Sequence, residues 1–157
     1  MHYSRMDALD RALLTILQAD SRLTSEQLSE RLHLSPSAVN RRVQRLWREG
    51  IIAAEVAVLG EKMRSRLTSA IINVQLDRHH PFQADELRRI LRASPYVQLC
   101  LEITGTSDVL LVVSVRDMDH FNAFTDALAQ MPLVRRYETH FVKRTVKFTT
   151  AITLEED

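Results

Sequence analysis

Residues 34–50, LSPSAVNRRVQRLWREG, gather the side chains whose chemistry is most readily named. At helical spacing Ser37, Arg41, Gln44, Arg45 and Arg48 fall on one face, with Asn40 and Arg42 on its flanks. They are mostly long hydrogen-bond donors, and the only acid among them is Glu49. Arginine suits guanine edges and phosphates, while asparagine and glutamine suit adenine, so the chemistry on offer is recognition of a DNA major groove. Val39, Val43, Leu46 and Trp47 recur at three- and four-residue steps and are expected to be buried behind that face. The segment is punctuated as a helix. Ser35 can cap it, Pro36 takes the first position, where a missing N–H costs nothing, and Gly50 can adopt the left-handed backbone that ends it.

A second group lies at Thr104, Gly105, Thr106, Ser107 and Asp108, between β-rich runs at 97–104 and 109–115. Taken by its residues alone, this is a loop of turn formers, a hairpin whose aspartate caps its own backbone. Other chemistry is thinly represented. Of the six histidines, only His79 and His80 are adjacent, and neighbours in an extended segment point to opposite faces, which makes a poor chelate; a loop before Pro81 is the better reading. Cys100 is the sole cysteine, excludes an internal disulfide and reads as a small buried hydrophobe in a strand. Three glycines cannot build a phosphate-cradling loop, and no GxSxG elbow occurs. We therefore expect no catalytic residues, no metal ligands and no cofactor.

The elements that must position these groups follow from periodicity. A helix over 7–19 carries the stripe Leu9, Leu13, Ile16 and Leu17, with Asp7 and Asp10 at its positive end. A short helix over 23–32 opens with Thr24 and Gln27 in a capping-box pattern and turns Leu28 and Leu32 inward. With 34–50 this makes a helix-turn-helix, and the alternating residues 51–59 read as a small strand pair or wing. A polar connector at 60–66 follows. Beyond it come a strand at 67–76, a helix at 84–91 with Leu87, Ile90 and Leu91 inward, and the two strands flanking Gly105. A helix at 118–131 then presents Phe121, Phe124, Leu128 and Met131, a last strand spans 134–146, and 148–154 is one further candidate strand. Strand–helix–strand–strand–helix–strand is the split βαβ, ferredoxin-like order, with helices on one face of the sheet and a second face that needs cover. The fold class is α+β, with a winged helix-turn-helix at 1–59, a linker at 60–66 and a ferredoxin-like domain at 67–157.

Composition bounds the function. The chain has 157 residues and a net charge of +1, divided as +3 over residues 1–66 and −2 over 67–157. The excess of positive charge thus lies with the arginine-rich helix, and its modest size points to paired copies rather than bulk charge as the source of affinity. No apolar run approaches the ~20 residues of a membrane helix, no secretory pattern is visible, and lone Cys100 fits a reducing compartment, so a cytoplasmic protein without membrane contact is expected.

A winged three-helix unit followed by a ferredoxin-like domain resembles the Lrp/AsnC (feast/famine) family of prokaryotic transcription regulators. The likeness runs from LDRALLTILQADSRLTSEQLSERLHLSPSAVNRRVQRLWREGII through VQLCLEITGTSDVLLVV, placed where the family has its Gly-x-x-Asp loop, to MPLV and the closing strands. The resemblance implies a sequence-specific DNA-binding regulator that forms homodimers, often tetramers or octamers, with two recognition helices on a pseudo-palindromic site of double-stranded DNA. From the residue types on the helix at 34–50, Ser35, Ser37, Asn40, Arg41, Arg42, Gln44, Arg45 and Arg48 are expected as the DNA-binding set, with Arg41, Gln44 and Arg45 at base edges and Arg42 and Arg48 at phosphates. The resemblance also implies an effector, usually an amino acid, at the glycine loop. There Gly105 would admit a carboxylate, Asp108 would hold an ammonium or fix the loop, and Thr104, Thr106 and Ser107 would line the site. Amino-acid-responsive members often carry an acid after the glycine and an aromatic beside the aspartate, where this chain has Thr106, Ser107 and Val109. Two alternatives share the architecture: an enzyme like the sirohaem decarboxylases, and an effector-independent architectural DNA-binding protein.

Overall fold

The computed structural model describes residues 6–77 and 81–154; the start of the chain at 1–5 and the pair His79 and His80 lie outside the described residues. Two compact units form, Met1–Val58 together with Lys147–Asp157, and Leu59–Val146.

In the first unit, α1 (Ala8–Ala19), α2 (Ser25–Leu32) and α3 (Pro36–Arg48) each start where a side chain satisfies orphan amides. Asp7 accepts from the Asp10 N–H at 2.8 Å, and its own N–H donates to the Asp10 carboxylate at 3.2 Å. Thr24 and Gln27 close the same reciprocal box on α2, and the Ser35 hydroxyl accepts from the Ala38 N–H at 3.2 Å on α3. Gly50 takes φ +70°, which lets the Ile51 N–H reach back to the Leu46 carbonyl at 2.9 Å and stop the helix. Leu13, Leu14, Leu28, Leu32, Val39 and Leu46 form the core.

Three expectations are corrected in this unit. Trp47 is 38% exposed rather than buried and is not among the side chains packed on this core, because it stands about 100° around the helix from buried Leu46. Residues 51–59 form no strand pair, since among the described residues no other segment pairs with them. Residues 148–154 do not add a strand either. Instead the Gln18 amide donates to the Ile152 carbonyl at 3.1 Å and accepts its N–H at 2.8 Å, standing in for a neighbouring strand, and Leu154 packs on the helical core. The closing segment therefore groups with the first unit, where the sequence expectation had run 67–157 as one block.

The second unit opens with a short helix, α4 (Glu61–Arg64), inside the expected connector, followed by β1 (Thr68–Leu76), α5 (Pro81–Ala93), β2 (Val97–Glu102), β3 (Val109–Val115), α6 (Met118–Ala129) and β4 (Val134–Phe141). The sheet order is β2-β3-β1-β4 with every pairing antiparallel, which is the ferredoxin-like arrangement. Ala70, Ile72 and Val74 of β1 and Val109, Leu111, Val113 and Val115 of β3 point to the side covered by the helices, where Leu87 and Leu91 of α5 and Phe121 and Leu128 of α6 meet them.

Register decides what occupies the other face. Ile71 pairs with Val112, Leu99 with Val112 and Leu101 with Leu110, so these side chains share the side that no helix covers. Leu99 and Leu101 are 46% and 43% exposed. His140, opposite Ile71, is exposed on this same face, with Nε2 3.7 Å from the Glu138 carboxylate. Cys100 is also corrected: it is exposed, because β2 is an edge strand that α5 covers only in part. Among the described residues, no helix is long and apolar enough to cross a membrane.

Candidate nucleic-acid interface and effector cleft

The centre of the first unit is a carboxylate, Asp10, at 0% exposure. An unpaired ion there would be prohibitively costly, so its partners decide how α3 is held. Arg42 donates to Asp10 Oδ1 at 2.7 Å and to Asp7 Oδ2 at 2.8 Å, while Arg45 donates to Asp10 Oδ2. Burial pushes the Asp10 carboxyl up. The bonds from Arg45, from Arg42 and from the Asp7 N–H pull it further the other way, leaving it below the ordinary aspartate range. Both arginines are held above their usual range, Arg42 chiefly by its bonds to Asp7 and Asp10, and Arg45 chiefly by its bond to Asp10. Two guanidiniums thus face two carboxylates, and the cluster adds little net charge to the surface.

This divides the residues expected at DNA. Arg42 and Arg45, with side chains 23% and 28% exposed, are turned back onto α1. The Ser35 hydroxyl is used by the helix cap. The Asn40 carbonyl oxygen accepts from the Ser25 hydroxyl of α2. Ser37, Arg41, Gln44 and Arg48 are exposed, and among the described residues no ion pair engages Arg41 or Arg48. At ~100° per residue these four positions fall within an arc of about 60°, a single stripe along α3. The stripe offers a hydroxyl, a carboxamide and two free guanidiniums, a donor-rich edge fitted to bases and phosphates.

In the second unit, Gly105 lies at φ +121°, a backbone region that L side chains rarely enter. The loop it begins is laced to the end of β1. Asp108 Oδ2 accepts from the Leu76 N–H at 2.8 Å, the Asp108 N–H donates to the Val74 carbonyl at 2.9 Å, and the Gln75 amide donates to the Thr106 carbonyl at 2.8 Å. Asp108 therefore caps a neighbouring strand and not its own turn. A cleft of about 560 Å³ opens beside it, lined by Gln75, Leu76, Asp77, Gly105, Thr106, Asp108 and Arg135. Thr104 and Ser107, expected at this site, are not among its lining residues. Gln75, Asp77 and Arg135 were missed by sequence reasoning. Gln75 and Asp77 reach the loop because β1 runs beside β3, and Arg135 reaches it through the β1–β4 pairing, in which Leu76 lies opposite Val134. Carboxylates and a guanidinium around one small cleft suit a zwitterion.

Chemistry outside these two sites is limited. Among the described residues, no three histidine, cysteine or acidic side chains are grouped to hold a metal ion. Although Cys100 is exposed at the surface of the edge strand, partial desolvation by the atoms packed around its thiol, with some help from Glu102, raises that thiol and works against nucleophilic use.

Comparison with known proteins covers both units. Residues 6–53 match a family described as winged helix-turn-helix DNA-binding, and residues 69–152 match the Lrp/AsnC ligand binding domain. An uncharacterized HTH-type transcriptional regulator of Haemophilus influenzae is 34% identical over 95% of this chain and 89% of its own length. The leucine-responsive regulatory protein of Escherichia coli is 28% identical over 96% of this chain and 92% of its own. Among solved structures, a Neisseria meningitidis transcriptional regulator in complex with L-Met superposes with a TM-score of 0.85 at 32% identity, covering 94% of this chain and 96% of that one.

Proposed function

The chain belongs to the Lrp/AsnC family of DNA-binding transcription regulators with a ligand-binding domain, and on that premise we propose that it is a cytoplasmic homodimer, or a larger even-numbered assembly, that reads DNA through Ser37, Arg41 and Gln44 of α3. Arg48, at the end of the same stripe, meets phosphate. The observation that carries this reading is the division of arginines on α3: two are bound to buried Asp10, and Arg41 and Arg48 are left exposed along one line. Arg45, expected from sequence at a base edge, is assigned instead to holding the helix.

Pairing follows from the uncovered sheet face. Leu99, Leu101, Leu110, Val112 and Ile71 make an apolar surface on one side of a four-stranded sheet, and a second copy of the same face is self-complementary under two-fold symmetry. Pairing brings two recognition helices to one duplex, where their separation would match the spacing of the half-sites. The effector is an amino acid at the Gly105–Asp108 cleft, its carboxylate toward Arg135 and its ammonium toward Asp77 and Asp108. Methionine is the first to test, because the Neisseria relative was solved with L-Met.

Selection of bound fragments from random double-stranded DNA, with and without pooled amino acids, tests the proposal. One enriched motif, shifted in occupancy by an amino acid, is the expected result. In gel shifts on that motif, Arg41→Ala should cost about 1–3 kcal/mol and relax one base position. Scattered enrichment, or full specificity retained by Arg41→Ala, refutes it.

A further inference from the structure

We propose that the end of the sheet where the chain enters and leaves the second unit is a further contact surface for the phosphate backbone of double-stranded DNA. It is built by register. Lys62 and Arg66 precede β1, while Lys143 and Arg144 follow β4. The pairing of Ala70 with Phe141, continued by the Val142 N–H donating to the Ser69 carbonyl at 2.8 Å, sets the chain end after β4 beside the chain start before β1. Bonds from the Arg66 N–H to the Met63 carbonyl at 3.2 Å and from the Leu67 N–H to the Arg64 carbonyl at 3.1 Å fold α4 directly against that start.

All four cations are exposed, and none has an ion-pair partner among the described residues. No acidic residue occurs in 62–76 or in 139–154. Across β3, Val115 lies opposite Thr68 and brings Arg116 and Asp117 to the same end, but that carboxylate is taken by Arg116 at 2.9 Å and by His120 at 2.6 Å. Glu61 of α4 and Asp119, in the first turn of α6, are the remaining acids near this end in sequence. Elsewhere on this unit Arg88 is matched by Glu102 and Asp85 and Arg89 by Glu86, while Arg92 of α5 and Arg135 and Arg136 of β4 have no ion pair among the described residues but are not gathered at this end. Four cations gathered at one end with little countercharge beside them make a local positive field fitted to a polyanion.

Covalent reach favours a duplex already held by α3. Residues 50 to 62 span at most about 40 Å even fully extended, which is about 12 base pairs of DNA at 3.4 Å each. Exposed Met63, Leu67 and Phe141 nearby raise an anionic lipid surface as the competing partner. The four residues of α4 are too short for the amphipathic helix such binding needs.

The inference rests on DNA binding by α3, so the test separates the two. Fluorescence anisotropy of the full chain on a random-sequence duplex of about 60 base pairs is followed across roughly 50–300 mM NaCl. In K62Q/R66Q/K143Q/R144Q the slope of log K against log salt should flatten by about 0.9 for each phosphate no longer neutralised, with affinity near 100 mM falling at least about tenfold. R136Q, which removes a charge at the opposite end of β4, should leave both unchanged. The melting curve should not move, since every substituted side chain is exposed. An unaltered slope in the fourfold variant overturns the inference, whatever R41A/R48A does. A flattened slope in the fourfold variant with R41A/R48A inert supports the patch and refutes the recognition stripe. Unchanged duplex binding with lost binding to phosphatidylserine vesicles assigns the patch to a lipid surface and also overturns the inference.

Discussion

Replacing Asp10 with asparagine removes one charge and almost no volume from a fully buried position, and leaves two arginines facing an amide. Breaking a buried ion pair by deleting one partner typically costs about 3–5 kcal/mol, because the remaining charge is uncompensated. Here the loss is softened. Arg42 keeps Asp7 at 2.8 Å, and both guanidiniums stay about a quarter exposed and can draw water, so about 2–3 kcal/mol is expected. The pH dependence has a definite sign. The folded-state pKa of Asp10 lies below its ordinary value, so this stabilisation is fully present above the unfolded pKa near 3.9 and is lost as pH falls through the folded value. Trp47, the only tryptophan, sits on α3 and reports this unit in urea titrations by fluorescence. Asp10→Asn should lower the midpoint at pH 7, and the gap from the unsubstituted protein should shrink below about pH 4. Stability within about 0.5 kcal/mol of the unsubstituted protein at pH 7, or a gap independent of pH, would refute the account of Asp10 as the anchor of α3.

Further outcomes follow from the second unit. Leu101→Glu places a charge on the uncovered sheet face and should shift the protein to monomers in sedimentation velocity; dimers persisting at micromolar concentration would place the interface elsewhere. Asp108→Ala leaves the Leu76 N–H without its acceptor, which should cost about 1–2 kcal/mol and abolish the amino-acid response while operator binding in gel shifts survives. An unchanged response would reduce Asp108 to a strand cap. Arg135→Gln should weaken amino-acid binding in calorimetry at least about tenfold, the loss of one charge-assisted pair; unaltered affinity would turn the zwitterion's carboxylate away from β4.

Much of the first unit is legible because its determinants are local. Thr24 and Gln27, Ser35 and Pro36, and Gly50 each act within one helical turn, and the structure uses each as its residue type suggests. The spacing of Leu28, Leu32, Val39 and Leu46 names the core in the same way. What the spacing could not reveal was the acid behind the arginines. Asp10 reads as an ordinary first-turn residue of α1, and its partners lie 32 and 35 positions away. Trp47 failed for a related reason, since helical spacing gives an angle around the axis but not where the neighbouring helices stop.

The β-rich runs at 67–76, 97–104 and 109–115 and the order of the elements pointed to the ferredoxin-like sheet, with one helix-covered face, from residue types alone. Tertiary structure decided which charges are matched to one another and which remain for a partner: Arg42 and Arg45 inward, Arg41 and Arg48 outward, Arg135 on the same cleft as Asp108, and the segment after β4 beside the start of β1. The physical reason is one of range. Caps and periodicities act over a few residues and are written in neighbouring letters, whereas the pairing of a charge depends on strand register and helix packing across the whole unit, and no local stretch encodes it.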